Sequence, residues 1–243
     1  MTGSCIDSNA HTNIPLYADG YPGIMFQQSE NGCYLLPKKK KLSELFLYGQ
    51  TLKPVALDII GKHEYIVVQL YPFASSYLLD VDPKKLNDDC YDLLQIEAPN
   101  VSNFNNQLQN NQSLEKRVKI ISNLIRELVK EHKITEDNRV EQAISIIIES
   151  EGQIKIKELL SRVFMTERTL ERHFIAHIGL TPKQFAKIIQ FKSSISKLTQ
   201  ERYNSLLEVG LDCGFSDQSH FIRTFKGYTG QTPSYYLNQT KPI

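Results

Sequence analysis

The sequence predicts an α+β protein in which a mainly β, barrel-like N-terminal half precedes an all-helical C-terminal half. Up to about residue 73, short apolar runs are broken by Gly, Pro and Asn, and from residue 113 onwards apolar residues recur at helical spacing. A long pattern also occurs twice in the helical half. A chain of 243 residues, 41% apolar and 23% charged, is long enough for two domains.

The N-terminal half has the pattern of strands and turns. The apolar runs GIMFQ, CYLLP, LFLYG and EYIVVQLYPF alternate with turn residues, which is typical of antiparallel strands. For the lysine run Lys38–Lys41 we expect a solvated hairpin end in preference to a binding patch. The polar stretch SNFNNQLQNNQ predicts a linker or loose loop. Residues 1–112 therefore form the expected β-rich domain.

Two helices with one-sided apolar stripes are predicted next. The first, at residues 113–133, is an amphipathic connector whose stripe packs on the N-terminal domain or pairs with its copy in a dimer. The second runs from Arg139 to Ser150 and ends at Gly152. Residues 134–243 then form an all-helical domain. The stripe of the connector consists of Leu114, Val118, Ile121, Ile125, Leu128 and Val129.

The helical half contains one pattern twice. FMTERTLERHFIAHIGLTPKQF and FSDQSHFIRTFKGYTGQTPSYY align without a gap, so that Phe164 aligns with Phe215. In each copy an apolar helix ends at a short polar turn and a second helix follows. This predicts helix-turn-helix units at about 154–178 and 205–228, joined by a helix at about 182–198.

The second helix of each unit has an apolar face and a polar face. Leu170 and Phe174 lie together on the first helix, as Phe221 and Phe225 do on the second. The opposite faces carry charged and polar side chains that suit a DNA major groove, since Arg can bind guanine, Gln adenine and Glu cytosine. Taken singly, each such residue can equally be a solvated side chain, and Glu171 can pair with Arg168 one turn away.

Charge is divided unevenly along the chain. Residues 1–112 carry 8 Lys, no Arg and 12 acidic residues, a net charge of −4. Residues 113–243 carry 20 basic and 15 acidic residues, a net charge of +5, and every arginine lies at or beyond Arg117. This division predicts a basic, anion-binding half joined to a half with another role.

No catalytic, metal or cofactor site is expected. His11 and His63, the histidines of the N-terminal half, lie far apart, and no nucleophile–base motif is present. The first residues lack a basic start and an apolar run, and no stretch approaches a membrane span, so we expect a cytoplasmic protein. The cysteines lack C-x-x-C spacing, which predicts reduced thiols; they are Cys5, Cys33, Cys90 and Cys213.

The stretch GFSDQSHFIRTFKGYTGQTPSYY, preceded by LLEVGLDC, resembles the signature of AraC/XylS-type transcription regulators, and the resemblance extends from about Arg139 to Leu237. It implies that the two units form a DNA-binding domain. Its long helix would hold the recognition helices about one DNA turn apart, in two successive major grooves. The implied base-contacting residues are Arg168, Glu171, Arg172, Gln218, Ser219, Ile222 and Arg223, and the implied phosphate contacts are Lys183 and Lys226.

The N-terminal half resembles the sensory domain of one branch of these regulators, through YADGYPGIMFQ and VVQLYPFASSYLLDVDPKKLNDDCYDL. The resemblance implies a regulatory domain that binds an effector, forms dimers, or both. Its implied setting is the bacterial, nucleoid-associated cytoplasm. Promoter DNA is the implied partner, with RNA polymerase, a small-molecule effector and a second copy as further candidates. A non-specific DNA-binding or protein-interaction module is the alternative.

The first repeat departs from the family in two respects: Glu171 adds an acidic residue to the face that approaches phosphates, and the residues before the turn differ. Family members often have small residues and a glycine before this turn, where the chain has Leu159 to Phe164. The second of these departures predicts a turn that is tighter or shifted.

Overall fold

The computed structural model describes residues 1–74, 82–96, 100–131, 138–200 and 203–240. Strands come first along the chain and α-helices follow, so the α+β prediction is confirmed. The chain divides into two compact units. The first comprises Met1–Leu16, Tyr21–Gly49 and Val55–Glu136, and the second comprises Tyr17–Gly20, Gln50–Pro54 and Asp137–Ile243.

The strands of the first unit form two antiparallel sheets. Strands β1 to β9 cover Thr2–Cys5, His11–Leu16, Gly23–Ser29, Cys33–Leu36, Lys40–Leu42, Leu45–Tyr48, Val55–Ile60, His63–Gln69 and Cys90–Asp92. One sheet has the order β1-β8-β3-β6-β9 and the other has the order β2-β7-β4-β5. In the first sheet, Phe26 pairs with Ile66 on one side and with Leu45 on the other.

Strand β3 is buried on both faces. Because successive side chains of a strand point to opposite faces, Met25 joins one core cluster while Ile24 and Phe26 join another. The cluster of Met25 also contains Cys33 and Leu57 of the other sheet. The cluster of Phe26 contains residues of the helices that follow the sheets. The uninterrupted apolar run of β3 is explained by these two cores.

The lysine run lies at an exposed turn between β4 and β5, as expected from the sequence. The Nζ atoms of Lys38 and Lys40 lie 2.9 and 2.7 Å from the carboxylate oxygens of Asp89. Partial burial alone would raise the pKa of Asp89, but the hydrogen bonds from Lys40 and Lys38 outweigh it and lower that pKa.

The stretch SNFNNQLQNNQ does not form the predicted linker or loose loop. Most of it lies in helix α1, Val101–Asn110. The prediction is wrong because Val101, Phe104 and Leu108 recur at a spacing of three and four residues and are buried against the first sheet, despite the Asn and Gln between them.

Helix α2, Leu114–Glu131, belongs to the first unit. Its residues Ile121, Leu124 and Leu128 are buried in the cluster that also holds Phe26. The stripe therefore packs on the N-terminal sheet from Ile121 onwards, which is the first of the two expected alternatives, whereas Leu114 and Val118 at its start are exposed. The expected boundary region 132–137 lies outside the described residues, as do residues 75–81 of the second stretch that resembles the sensory domain.

The second unit is helical apart from its two short N-terminal segments. Helices α3 to α9 cover Arg139–Glu149, Ile156–Val163, Glu167–Ile178, Pro182–Thr199, Leu206–Asp212, Gln218–Thr229 and Pro233–Thr240. Within this unit Tyr17 meets Tyr236 edge to face, with ring centroids 5.6 Å apart. Among the described residues, no helix is long and apolar enough to cross a membrane.

Candidate nucleic-acid interface

The first helix-turn-helix unit consists of α4 and α5. Helix α5 begins after Thr166, whose hydroxyl accepts a hydrogen bond from the Thr169 amide at 3.3 Å. It ends at Gly179, which adopts the left-handed conformation that favours glycine at a helix C-terminus. Leu170 and Phe174 are buried beneath it. The apolar face is therefore fixed, and the opposite face points to solvent.

The solvent face of α5 carries the three residues expected to contact bases. Arg168, Glu171 and Arg172 are all exposed. Within the part of the chain that the structure describes, neither arginine forms an ion pair, so the alternative pairing of Glu171 with Arg168 does not occur. Both guanidinium groups are thus available to an anionic or hydrogen-bonding ligand.

The second unit consists of α7 and α8. Ser205 begins α7, with its hydroxyl accepting from the Glu208 amide at 3.1 Å. Asp217 begins α8, with its carboxylate accepting from the His220 amide at 2.7 Å. This backbone hydrogen bond is the largest cause of a lowered pKa at Asp217, and the nearby charge of Arg223 adds to it.

The residues of α8 that are expected to contact bases differ in their exposure to solvent. Gln218, Ser219 and Arg223 are exposed, whereas Ile222 is half-buried at the edge of the solvent face. Phe221 and Phe225 are fully buried on the opposite side.

The two turns do not correspond residue for residue. Phe164 is left-handed and 88% exposed, whereas Phe215 is 3% exposed in the core. The left-handed residue of the second turn is Gly214. In the first turn the N-cap Thr166 follows the left-handed Phe164 by two residues. In the second turn the N-cap Asp217 follows the left-handed Gly214 by three residues. The ungapped alignment of Phe164 with Phe215 is therefore wrong, because the first turn is one residue shorter.

Helix α6 joins the two units and contributes to both cores. It begins with a capping box in which Thr181 and Gln184 bond each other's backbone amides, and Pro182 occupies its first turn. Phe185 contacts Phe174 of the first unit, with ring centroids 6.1 Å apart. Phe191 contacts Phe225 of the second unit at 5.3 Å.

Helices α5 and α8 therefore both pack on α6. The sequence predicted this joining helix but did not single out Phe191, although it lies three residues after Ile188 on the apolar side of α6.

The expected phosphate contacts are both exposed. Lys183 lies in the first turn of α6, and Lys226 lies in the last turn of α8. Within the described residues neither forms an ion pair. Such lysines can contact phosphates without distinguishing one base from another.

Cysteine and metal chemistry contribute nothing to this surface. All four cysteines are free, and burial raises the pKa of Cys33 and of Cys90 to about 12. Across the described ranges, no group of three or more His, Cys, Asp or Glu could hold a metal ion.

Comparisons with known proteins agree with this geometry. A family profile described as "Helix-turn-helix domain" matches residues 159–239, and one described as "Domain of unknown function (DUF6597)" matches residues 4–92. An HTH-type transcriptional regulator of Haemophilus influenzae is 29% identical over 42% of this chain. The XylDLEGF operon transcriptional activator of Pseudomonas putida is likewise 29% identical over 42% of the chain.

The chain resembles AraC/XylS-type transcription regulators over residues 159–239. It spans 34% of the length of the first of these relatives and 32% of the second. A crystal structure of ToxT from Vibrio cholerae has the same fold as this chain, with a TM-score of 0.57. The superposition covers 100% of this chain and 99% of ToxT, at 16% sequence identity. The similarity therefore includes the N-terminal unit, but it is a similarity of fold alone.

Proposed function

We propose that this protein is a sequence-specific DNA-binding regulator that reads two successive major grooves of a promoter with α5 and α8. One observation carries the proposal: two capped helices with exposed arginine faces, centred on Arg172 and Arg223, pack on the same joining helix. A helix of this kind enters the major groove with its N-terminal residues at the base edges. Arginine there forms bidentate bonds to guanine.

The division of roles among the basic residues follows from this arrangement. Arg168, Glu171 and Arg172 of α5, and Gln218, Ser219 and Arg223 of α8, face bases, with Ile222 at the groove edge. Lys183 and Lys226 contact phosphates, which orient the protein on the duplex. Because the outward residues of α5 and α8 differ, the two blocks of the preferred site have different sequences.

The decisive experiment compares arginine and lysine variants on a DNA site selected from a random pool by the full-length protein. We expect Arg172→Ala and Arg223→Ala each to weaken the selected site by about 10- to 100-fold, and random DNA far less. We expect Lys226→Ala to weaken both equally and to reduce the salt dependence by about one phosphate.

Lys119→Ala, an exposed lysine of α2 in the first unit, serves as the matched control and should leave both affinities unchanged. If the two arginine substitutions lower the affinities for the selected site and for random DNA by the same factor, α5 and α8 do not recognise a DNA sequence. A selection without a preferred sequence would favour the non-specific DNA-binding or protein-interaction alternative.

We further propose that the first unit modulates DNA binding in the bacterial cytoplasm, through an effector, through dimer formation, or both, with RNA polymerase as the partner at the promoter. A crystal structure of ToxT with a bound unsaturated fatty acid has a TM-score of 0.52 to this chain. In the first unit of this chain, a groove of about 500 Å³ is lined by residues such as Gln28, Glu44, Lys62 and Glu64. The groove has both polar and apolar surface, and the charges of Glu44, Lys62 and Glu64 suit an effector that carries polar groups.

The test of this modulation is a search for polar small molecules that raise the melting temperature of the full-length protein. A molecule that binds should also change the affinity for the selected DNA, because linkage is reciprocal. Glu64→Gln should weaken its binding. A ligand whose affinity is identical with and without DNA would contradict modulation through this groove.

A further inference from the structure

The turn of the first helix-turn-helix unit holds an aromatic residue in an unfavourable setting. Phe164 has φ 52° and ψ 44°, in the left-handed region that strains residues with a side chain. Its side chain is 88% exposed. The ring therefore gains almost no burial within the fold, and the backbone there favours glycine. Strained residues that the fold does not need are often found at functional sites.

The equivalent position of the second unit shows what the turn itself requires. Gly214 has φ 81°, and a Cβ atom there would lie 3.0 Å from Cγ of Gln153 and 3.1 Å from Nε2 of Gln190. Glycine is thus favoured at that turn by the left-handed backbone conformation and by the close packing of two glutamine side chains. The first turn has the same backbone conformation but opens to solvent, so a large side chain fits there without contributing to the core.

The position of Phe164 relates it to the proposed groove. In a helix-turn-helix unit the first helix crosses the DNA backbone and the second enters the major groove. The turn between them therefore passes the edge of the groove. Phe164 lies two residues before Thr166, the N-cap of α5, and exposed Arg162 and Arg168 flank it along the chain. Cationic side chains on both sides suit the approach of a polyanion.

We propose that the ring of Phe164 makes an apolar contact with DNA at the edge of the major groove. Its partners would be deoxyribose carbons and, where the site has one, the methyl group of thymine, which apolar side chains contact in the major groove. The inference rests on the proposed function, because it requires α5 to enter the groove. It adds a contact that is neither an ion pair nor a hydrogen bond, and therefore one that salt does not screen.

The variant Phe164→Gly separates the contact from the fold. Glycine relaxes the left-handed backbone, so the melting temperature should be at least as high as that of the wild-type protein. Affinity for the selected DNA site should nevertheless fall by about tenfold, since a partly buried phenyl ring is lost from the interface. The slope of affinity against salt concentration should not change, because no phosphate contact is removed.

Three further variants complete the experiment. Phe164→Tyr keeps the ring and should retain most of the affinity, whereas Phe164→Asn tolerates the left-handed conformation without a ring and should match the glycine variant. Leu114→Ala removes another exposed apolar side chain, on α2 of the first unit, and should leave affinity unchanged.

The outcomes separate this inference from the function on which it rests. If the wild-type protein selects a site and Phe164→Gly binds it with unchanged affinity, the ring does not contact DNA, while the proposed function stands. A wild-type protein that selects no site overturns both. A lowered melting temperature of Phe164→Gly would contradict the strain argument, and the asparagine variant would then decide whether the ring contacts DNA.

Discussion

At the residue scale, the two proposed recognition helices begin with different chemistry. Thr166 caps α5 with a hydroxyl, whereas Asp217 caps α8 with a carboxylate. Both accept a backbone hydrogen bond, but only the cap of α8 is itself charged, whereas α5 has its negative charge at Glu167 in the first turn. That charge also lies close enough to Arg223 for the arginine to help lower the pKa of Asp217. The cap of α8 is therefore sensitive to acid.

Replacing Asp217 by serine should make the stability of the second unit less sensitive to acid. The hydrogen bond from the His220 amide holds the pKa of Asp217 below its ordinary value of 3.8. Because the pKa of Asp217 is lower in the folded protein, its charge stabilises the second unit at pH values above 3.8. This stabilisation is lost as the pH falls through the lowered pKa of the folded protein. Asp217→Ser keeps a capping oxygen but no charge.

Melting temperatures of the wild-type protein and Asp217→Ser, measured from neutral pH down to about pH 3, provide the test. The wild-type protein should be more stable at neutral pH, and the difference should shrink in acid. A difference that stays constant over this range would show that the charge of Asp217 contributes nothing.

Residue identity predicted the caps better than it predicted the turns. Thr166 and Ser205 are recognisable because a hydroxyl before a helical apolar pattern is the usual start of a helix. The different placement of Phe164 and Phe215 cannot be recognised from the sequence, because two identical residues flanked by similar sequences align with each other. Only the backbone shows that one is left-handed and the other lies in the core.

At the scale of the element, α2 is held on the N-terminal sheet by one buried cation as well as by its apolar stripe. The guanidinium of Arg117 donates to the Leu108 carbonyl at 3.1 Å and to Gln28 Oε1 at 2.7 Å. It also lies 2.7 Å from Glu64 and 5.2 Å from the centre of the Phe26 ring. The side chain of Arg117 is 4% exposed, so these partners replace nearly all of its hydration.

Substitution of Arg117 should destabilise the first unit strongly. Arg117→Met keeps much of the apolar volume but leaves Gln28 and the Leu108 carbonyl without their donor, which costs roughly 2–4 kcal/mol. Arg117→Lys should be little better, because one ammonium cannot form the same set of planar contacts.

Urea denaturation followed by circular dichroism measures this change in the free energy of unfolding. Lys119→Ala, on the same helix but exposed, should change it by less than about 0.5 kcal/mol. Arg117→Met with wild-type stability would show that the apolar stripe alone holds α2.

The apolar spacing of α2 predicted the helix and, from Ile121 onwards, the face that it buries. It did not predict the burial of Arg117, because a cation normally points to solvent and its partners come from two strands and a helix that only the folded chain brings together. For α1 the composition was misleading: Asn and Gln outnumber the three apolar residues that decide its packing.

At the scale of the whole molecule, the proposed function depends on a fixed spacing between α5 and α8. Both pack on α6, through Phe174 with Phe185 and through Phe225 with Phe191. One chain would therefore recognise two blocks of sequence about one helical turn of DNA apart. The tandem units and the joining helix were predictable from the sequence because the pattern is repeated, whereas their shared packing was not.

Changing the distance between the two blocks of a selected DNA site should abolish simultaneous contact. Inserting about half a helical turn, roughly 5 base pairs, places the second block on the opposite side of the duplex. We expect the affinity to fall by at least about 100-fold, towards that for random DNA. Equal binding before and after the insertion, measured by a mobility-shift titration, would contradict a rigid pair of readers.

The shared helix α6 also has a consequence for how the second unit comes apart. Since the cores of both helix-turn-helix units include aromatic rings from α6, unfolding of that helix would open both cores together. The slowest-exchanging amide hydrogens of α5 and α8 should then share one exchange rate, set by a single cooperative opening. A chain with two independent readers would instead show two rates.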